Sequence, residues 1–103
     1  MTLVLMILFL VHCGFYDTDV CDGVYESHIC FFVAAEDKES AKLQAKQHAD
    51  YKKKRMHIDG LQEITAVDGW KIDLKKDALL EGKTILTSHL HRELATKPAN
   101  PLS

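Results

Sequence analysis

The sequence predicts an α+β domain: a mixed β-sheet of four to five strands in the order β-β-α-β-β, with one main helix packed on one face. Three observations lead to this fold class. Residues 5–13 and 27–35 are nearly continuous apolar runs, which are typical of strands. Residues 36–49 are strong helix formers. Residues 56–74 alternate between apolar and polar side chains on both sides of an Asp-Gly turn, which predicts a β-hairpin.

Length and composition indicate a single core. The chain has 103 residues, of which 47% are hydrophobic, so we expect one domain over residues 1–94 and a mobile tail over residues 95–103. The formal net charge of −2 predicts no nucleic-acid partner and no membrane partner. Three cysteines without C-x-x-C spacing predict reduced thiols, and hence a cytoplasmic protein rather than a disulfide framework.

The first apolar run has some of the character of a signal peptide or membrane anchor. However, no Lys or Arg precedes Lys38, no small-residue cleavage site follows, and the run is too short to span a bilayer. We therefore expect residues 5–13 to form a strand that is buried on both faces, and residues 27–35 to form a second central strand.

The helix over residues 36–49 begins with acidic residues, which favour the positive end of the helix dipole. Ala41, Ala45 and Ala49 recur every four residues, so a shallow stripe should lie flat across the sheet. The basic run at residues 52–55 complements the dipole at the C-terminal end. We interpret it as a solvated turn rather than a phosphate-binding patch.

Two loop lengths compete for the hairpin. A two-residue loop of Asp68-Gly69 would mix apolar and charged side chains on each face. A three-residue loop, residues 67–69, pairs Ala66 with Trp70 and leaves one face almost wholly apolar, so we predict this loop. The residues then predicted to face inward are Met56, Ile58, Ile64, Ala66, Trp70, Ile72 and Leu74.

After the hairpin, the sequence pattern predicts secondary structure less clearly. Residues 75–83 predict a short helical turn or loop that ends at Gly82. Residues 84–90 predict a last strand, and residues 91–95 either continue it or form a helical turn.

The outer face of the hairpin is the best candidate for a ligand or partner surface. His57, Asp59, Glu63 and Lys71 are predicted to point to solvent there. Trp70 is the candidate anchor for a partner, because tryptophan is enriched at interaction hot spots.

Three pairs of possible metal ligands share an i, i+2 spacing, which places both members on one face of a strand. They are His28 with Cys30, His57 with Asp59, and His89 with His91. None of these spacings is a known ligand motif, so metal binding is a secondary hypothesis and no cofactor is predicted.

No catalytic residue is predicted. A nucleophilic site would combine His57 and Asp59 with Cys13, Cys21 or Cys30, yet none of these cysteines has an activating context such as a helix N-terminus.

Two strands that are apolar on both faces require cover on both sides, and one good helix covers one side. A second copy of the chain is the simplest source of further cover, so we expect a homodimer or another protein partner. The predicted function is an interaction or structural module. The alternative is a small-molecule or metal-binding protein that uses His57 and Asp59 with His28 or with the pair His89 and His91.

Three segments resemble the DUF1543 family of small bacterial domains of unknown function: LVHCGFYD, YESHICFFVAA with the alanine-bearing helix after it, and KRMHIDGLQEITAVDGWKIDL. Together they cover most of residues 5–74. Many family members have a double glycine where this chain has Cys13-Gly14, and the C-terminal HRELATKPANPLS departs from the family. The resemblance implies a compact α+β module, sometimes present in tandem copies, and no particular activity.

Overall fold

The computed structural model describes residues 5–95, so the ends of the chain, including most of the predicted tail, lie outside the described residues. The protein is an α+β domain with a three-stranded antiparallel sheet, a small separate hairpin, and one main helix packed against the strands. The predicted fold class and the main helix are therefore confirmed.

The strands are β1 (Ile7–Tyr16), β2 (Glu26–Ala35), β3 (His57–Ile64), β4 (Ala66–Val67) and β5 (Trp70–Lys71). The helices are α1 (Lys38–Lys46), α2 (Ala49–Lys53) and α3 (His91–Leu94), and short 3-10 turns cover Cys21–Gly23 and Ala78–Leu80.

The predicted mixed sheet of four to five strands requires correction. The main sheet has the order β2-β1-β3, and β1 pairs antiparallel with both neighbours. β2 and β3 consequently run parallel to each other but form no backbone ladder, because β1 lies between them. Strand β2 was expected to be central and is instead an edge strand.

The core lies between one face of the sheet and α1. Phe9, Val11 and Cys13 of β1 have no exposed surface, and Ala41 and Ala45 of α1 are equally buried. The small alanines let the helix approach the large sheet residues closely, as the alanine stripe predicted. The side chains of β1 that point to the opposite face are exposed or half-buried. The expectation that this strand is buried on both faces is therefore wrong.

The predicted helix over residues 36–49 is interrupted near its end. α1 stops at Lys46, and His48 starts α2 by accepting a hydrogen bond on Nδ1 from the Asp50 backbone N–H at 3.3 Å. The His48 ring stacks on Phe31 of β2, with ring centroids 4.3 Å apart. Ala49 is therefore exposed at the start of α2 rather than buried in the stripe.

The predicted three-residue hairpin loop is wrong. Val67 pairs with Trp70, and both Asp68 (φ 52°) and Gly69 (φ 85°) are left-handed, as in a two-residue type I′ turn. The longer loop would give the hairpin an apolar face, but no part of the sheet lies against that face. The pairing of β3 with β1 ends at Ile64, and the hairpin follows after that point. Trp70 is accordingly 77% exposed.

The expected strand at residues 84–90 is also wrong, since this segment has no regular structure in the described part of the chain. The turn that ends at Gly82 and the helical turn within residues 91–95 are both present. Between residues 5 and 95, no helix is both long and apolar enough to cross a membrane.

Asp37 is the N-cap of α1 and provides a test of how that helix is held. Its Oδ1 accepts a hydrogen bond from the Ser40 backbone N–H at 2.8 Å, and this bond lowers the pKa of the Asp37 carboxyl below its usual 3.8. The stabilisation is therefore fully present above pH 3.8 and is lost as the pH falls through the lowered pKa. We expect Asp37→Ala to lower the urea midpoint at neutral pH, and the difference from wild type to shrink under strong acid.

Circular dichroism at 222 nm during urea titration measures both effects. Asp37→Asn is the control, because asparagine retains a capping oxygen and should keep most of the neutral-pH stability. An Asp37→Ala midpoint equal to wild type at neutral pH would contradict this role.

Candidate functional site

The candidate site lies on the face of the sheet opposite α1, at the row centred on Gly14. In the register of the sheet, Gly14 of β1 is opposite His28 on β2 and opposite His57 on β3. Side chains on directly opposed positions point to the same face, so both imidazoles lie on the side where Gly14 has no side chain. One row further, Glu26 on β2 shares the face of His28.

Four side chains meet above Gly14 and form what we call the His-carboxylate cluster: Glu26, His28, His57 and Asp59. Nε2 of His57 lies 2.7 Å from Oε1 of Glu26 and 3.0 Å from Oδ1 of Asp59. Nε2 of His28 lies 3.5 Å from each of the same two carboxylates. Two imidazole nitrogens from the two edge strands therefore share two carboxylates.

A β-bulge in β3 brings Asp59 into the cluster. Cys13 pairs with Ile58 and His12 pairs with Gly60, so Asp59 is an extra residue with no partner on β1. Asp59 and His57 share a face, as residues two apart do in a regular strand. Because the bulge adds one residue, each β3 residue after Asp59 faces the side opposite to the one it would face in a regular strand. Ile58 consequently faces the core while Ile64 pairs with Leu8 on the opposite face, which corrects the predicted inward set.

Gly14 makes the convergence possible. A Cβ built on Gly14 would lie 2.7 Å from Oδ2 of Asp59 and 2.8 Å from Nε2 of His57, and would also collide with Oε1 of Glu26. These separations are shorter than any real Cβ contact, so any other residue would displace the cluster. Because Gly14 has no side chain, it leaves space for the cluster within a strand whose other side chains are mostly large.

His12 and a shallow cavity extend the site along β1. The His12 ring packs edge-on against His28 with centroids 5.0 Å apart, and a ligand nitrogen of His12 lies within 4.8 Å of ligand atoms of His28 and Asp59. A cavity of about 260 Å³ adjoins His12 and is lined by Cys30, Gly60 and Gln62 among others. The cluster therefore has free volume beside it.

The cluster is rich in hydrogen-bond acceptors and accessible to solvent. Its side chains are between 30% and 50% exposed. Each imidazole Nε2 has at most one hydrogen to donate, so two histidines supply two donors to four carboxylate oxygens. Among residues 5–95, no lysine or arginine forms an ion pair with Glu26 or Asp59. The arrangement therefore suits a cation.

The cysteines contribute differently. Cys13 is fully buried beneath the cluster, on the core side of β1. Burial raises the pKa of its thiol, and the negative charge of Asp59 raises that pKa further, so Cys13 stays protonated and unreactive. Cys21 and Cys30 are exposed, and all three are free thiols.

The structure separates the predicted surface residues into three places. His57 and Asp59 join His28 in the cluster. Glu63 lies far along β3 opposite Phe9, whereas Lys71 and Trp70 lie on the separate hairpin. A role for this set as one surface stays a prediction.

The pair His89 and His91 also lies elsewhere. Nδ1 of His89 is 3.4 Å from Oε2 of Glu93, and neither histidine belongs to a group of converging ligand atoms within the described residues.

Sequence reasoning missed Glu26, Gly14 and His12. A glycine at an outward position of an apolar strand is the one local signal that marks close approach of other groups. The partners of that glycine depend on pairing with residues 14 and 43 positions away in sequence, which no local pattern specifies.

Comparison with known proteins gives one family match. Residues 23–74, just over half of the chain, match the model described as Domain of Unknown Function (DUF1543). The matched range includes all four residues of the His-carboxylate cluster and ends before the C-terminal segment. No curated protein and no solved structure matches the chain.

Substitution of Gly14 tests whether its missing side chain holds the cluster together. We expect Gly14→Ala to displace the side chains of Glu26, His57 and Asp59, because the new methyl group occupies their meeting point. Long-range ¹H–¹⁵N spectra of the histidine side chains should show changed signals for His57 and His28, while far-ultraviolet circular dichroism stays that of the folded protein.

Gly60→Ala is the matched control. A Cβ at Gly60 meets nothing within 4 Å, although Gly60 lies on the neighbouring strand beside the same site. It should leave the histidine signals unchanged and add up to about 1 kcal/mol of stability, as removal of a strand glycine does. Unchanged histidine signals in Gly14→Ala would disprove the close convergence.

Proposed function

We propose that this chain, which belongs to the DUF1543 family, binds a divalent transition-metal ion through the His-carboxylate cluster of Glu26, His28, His57 and Asp59. The convergence of two imidazole nitrogens and two carboxylates over Gly14 is the observation that supports this most strongly. It refines the metal-binding alternative drawn from His57, Asp59 and His28.

The spacing of the ligand atoms is appropriate for one ion held by Glu26, His57 and Asp59, whose ligand atoms all lie within 4.8 Å of one another. His28 lies 3.5 Å from both carboxylates, and its ligand atom also groups with those of His12 and Asp59. Nitrogen and oxygen ligands lie about 2.0–2.2 Å from a tetrahedral zinc ion, which places them roughly 3.4 Å from one another. In the cluster the nitrogen-to-oxygen distances are 2.7, 3.0 and 3.5 Å. Small rotations of the side chains are sufficient to admit an ion.

The ligand types indicate the class of metal. Imidazole suits zinc, iron, copper and nickel, whereas an all-oxygen set would favour magnesium or calcium. Among the described residues, no cysteine belongs to the groups of converging ligand atoms. Cys13 faces the core, and Cys30, which lies opposite His12, is not among these ligands. The set of two histidines and two carboxylates therefore favours a borderline dication such as Zn²⁺.

Charge supports the same conclusion. Glu26 and Asp59 place two negative charges around His57, and among the described residues they have histidines as their ion-pair partners. Neutral imidazoles leave a local charge of about −2, which a dication would offset.

Exposure argues for an open site rather than a closed structural one. The cluster faces solvent, and the cavity beside His12 offers room for a small ligand. With Glu26, His57 and Asp59 as its ligands, a tetrahedral ion would have a fourth position for His28, for water or for a small molecule.

We expect the protein to bind Zn²⁺ with one ion per chain, and His57→Ala to weaken binding about 100-fold or more. Loss of a residue that only orients a ligand costs 10–100-fold, so loss of a ligand at the centre of the cluster should cost at least as much. Isothermal titration calorimetry measures the affinity. Zinc should also raise the melting temperature, because the ligands converge in the folded state alone.

Two controls accompany this test. His91→Ala removes an exposed histidine outside the cluster and should bind zinc as the wild type does. Binding should also weaken in acid, because protons compete with the metal for its ligands. Equal affinities of the wild type, His57→Ala and His91→Ala would show that zinc binds elsewhere and would refute the proposal.

A further inference from the structure

We infer that a second copy of the chain docks into a groove between β2 and the chain's own C-terminal segment, here called the arm (residues 74–95), so that two copies form a symmetric dimer. This inference concerns the end of the sheet away from the His-carboxylate cluster and does not depend on metal binding.

The groove is large and mainly apolar. Its volume is about 770 Å³, and it lies between β2 with the adjacent end of β1, the last turn of α1, and the arm. Leu8, Phe32 and Ala34 form the sheet side, and Ile85 and Leu86 form the arm side. Lys83 is the one lysine, arginine or carboxylate residue among the described residues that line it. The helix side of the groove is polar, since Gln44, Gln47 and His48 line it, so the apolar contact surface lies on the sheet side and the arm side.

The arm is poorly packed on its own chain. Its large apolar side chains are mostly exposed: Leu79, Leu80, Ile85, Leu86, Leu90 and Leu94. The radius of gyration is 17.6 Å, whereas a compact chain of this length has roughly 13 Å. A segment with this many exposed leucines and isoleucines is typical of one that packs on another molecule.

The area involved is sufficient for a stable dimer. Burying one leucine or isoleucine side chain removes on the order of 100 Å² from water. The six exposed side chains would supply on the order of 600 Å² per arm if the second copy covers the whole arm and not just Ile85 and Leu86, which line the groove itself. Two arms and the surfaces they cover would bury on the order of 2,000 Å² or more, whereas stable interfaces need roughly 1,200–2,000 Å².

A second copy is favoured over an unrelated partner because every copy has both halves of the interface. Among residues 5–95, each copy has an arm with exposed apolar side chains and a groove with an apolar sheet side, so one two-fold rotation would place each arm on the groove of the other copy. Strand β2 strengthens the argument, since it is an edge strand whose last seven residues, ICFFVAA, include no charge, proline or bulge to prevent pairing.

The test is the solution mass of the full chain by light scattering coupled to size exclusion. We expect twice the 11.7 kDa chain mass at micromolar concentration. Ile85→Glu/Leu86→Glu on the arm side, and separately Phe32→Glu on the sheet side, should each give the monomer mass, because each places charge in the apolar groove.

Val24→Glu/Leu43→Glu is the matched control. Val24 and Leu43 are 69% and 64% exposed, close to the 68% and 70% of Ile85 and Leu86, yet they do not line the groove. This variant should remain dimeric. Intermolecular NOEs in a mixture of ¹³C-labelled and unlabelled wild-type protein provide a second readout that needs no variant, and they should join arm residues to Phe32 and Leu8.

A monomeric wild type, or a dimer that survives both groove variants, would overturn the inference. A dimer whose intermolecular NOEs lie outside the groove would overturn it as well. Zinc affinity should be the same in Ile85→Glu/Leu86→Glu as in the wild type, so the outcome of this test is separate from that of the proposed metal site.

Discussion

The pairing of β1 with both neighbours is the constraint on which the rest of the molecule depends. β1 pairs with β2 over ten residues and with β3 over seven, so it fixes the position of each edge strand relative to the other. Because both registers meet at Gly14, two histidines that are 29 residues apart in sequence come to lie on either side of one glycine. A shift of one residue in either register would turn one of them to the opposite face.

β1 also separates the apolar core from a face that becomes polar along the strand. On the core side, Phe9, Val11 and Cys13 pack against the alanines of α1, and this packing supplies the hydrophobic stabilisation of the fold. On the other side, β1 runs from Leu8 and Leu10 to His12 and Gly14, so that face changes from apolar to polar along its length. The metal site that we propose lies at the polar end of this face, whereas the docking groove that we infer lies beside β2, near the apolar end of the face.

Three structural features form the His-carboxylate cluster, and each of them lowers the stability of the fold. A glycine within a strand forgoes packing, and a bulge leaves Asp59 without a partner in the sheet. Two carboxylates held close together repel each other unless positive charge lies between them. A fold that combines all three at one row retains features that its stability alone does not require, which is characteristic of a functional site.

The sequence by itself determined the fold class, the main helix and its alanine stripe, because these follow from local propensity and periodicity. It also singled out His57, Asp59 and His28, since polar residues with i, i+2 spacing stand out against apolar runs.

Only the tertiary structure decided what those residues meet. The strand order, the bulge at Asp59 and the approach of Glu26 arise from pairing between distant segments. The hairpin loop differs from the prediction for the same reason. The sequence pattern favours the longer loop because that loop gives the hairpin an apolar face, but no sheet lies beneath the hairpin to cover that face. Local patterns report which side chains are apolar, but the surfaces available to bury them exist only after the chain has folded.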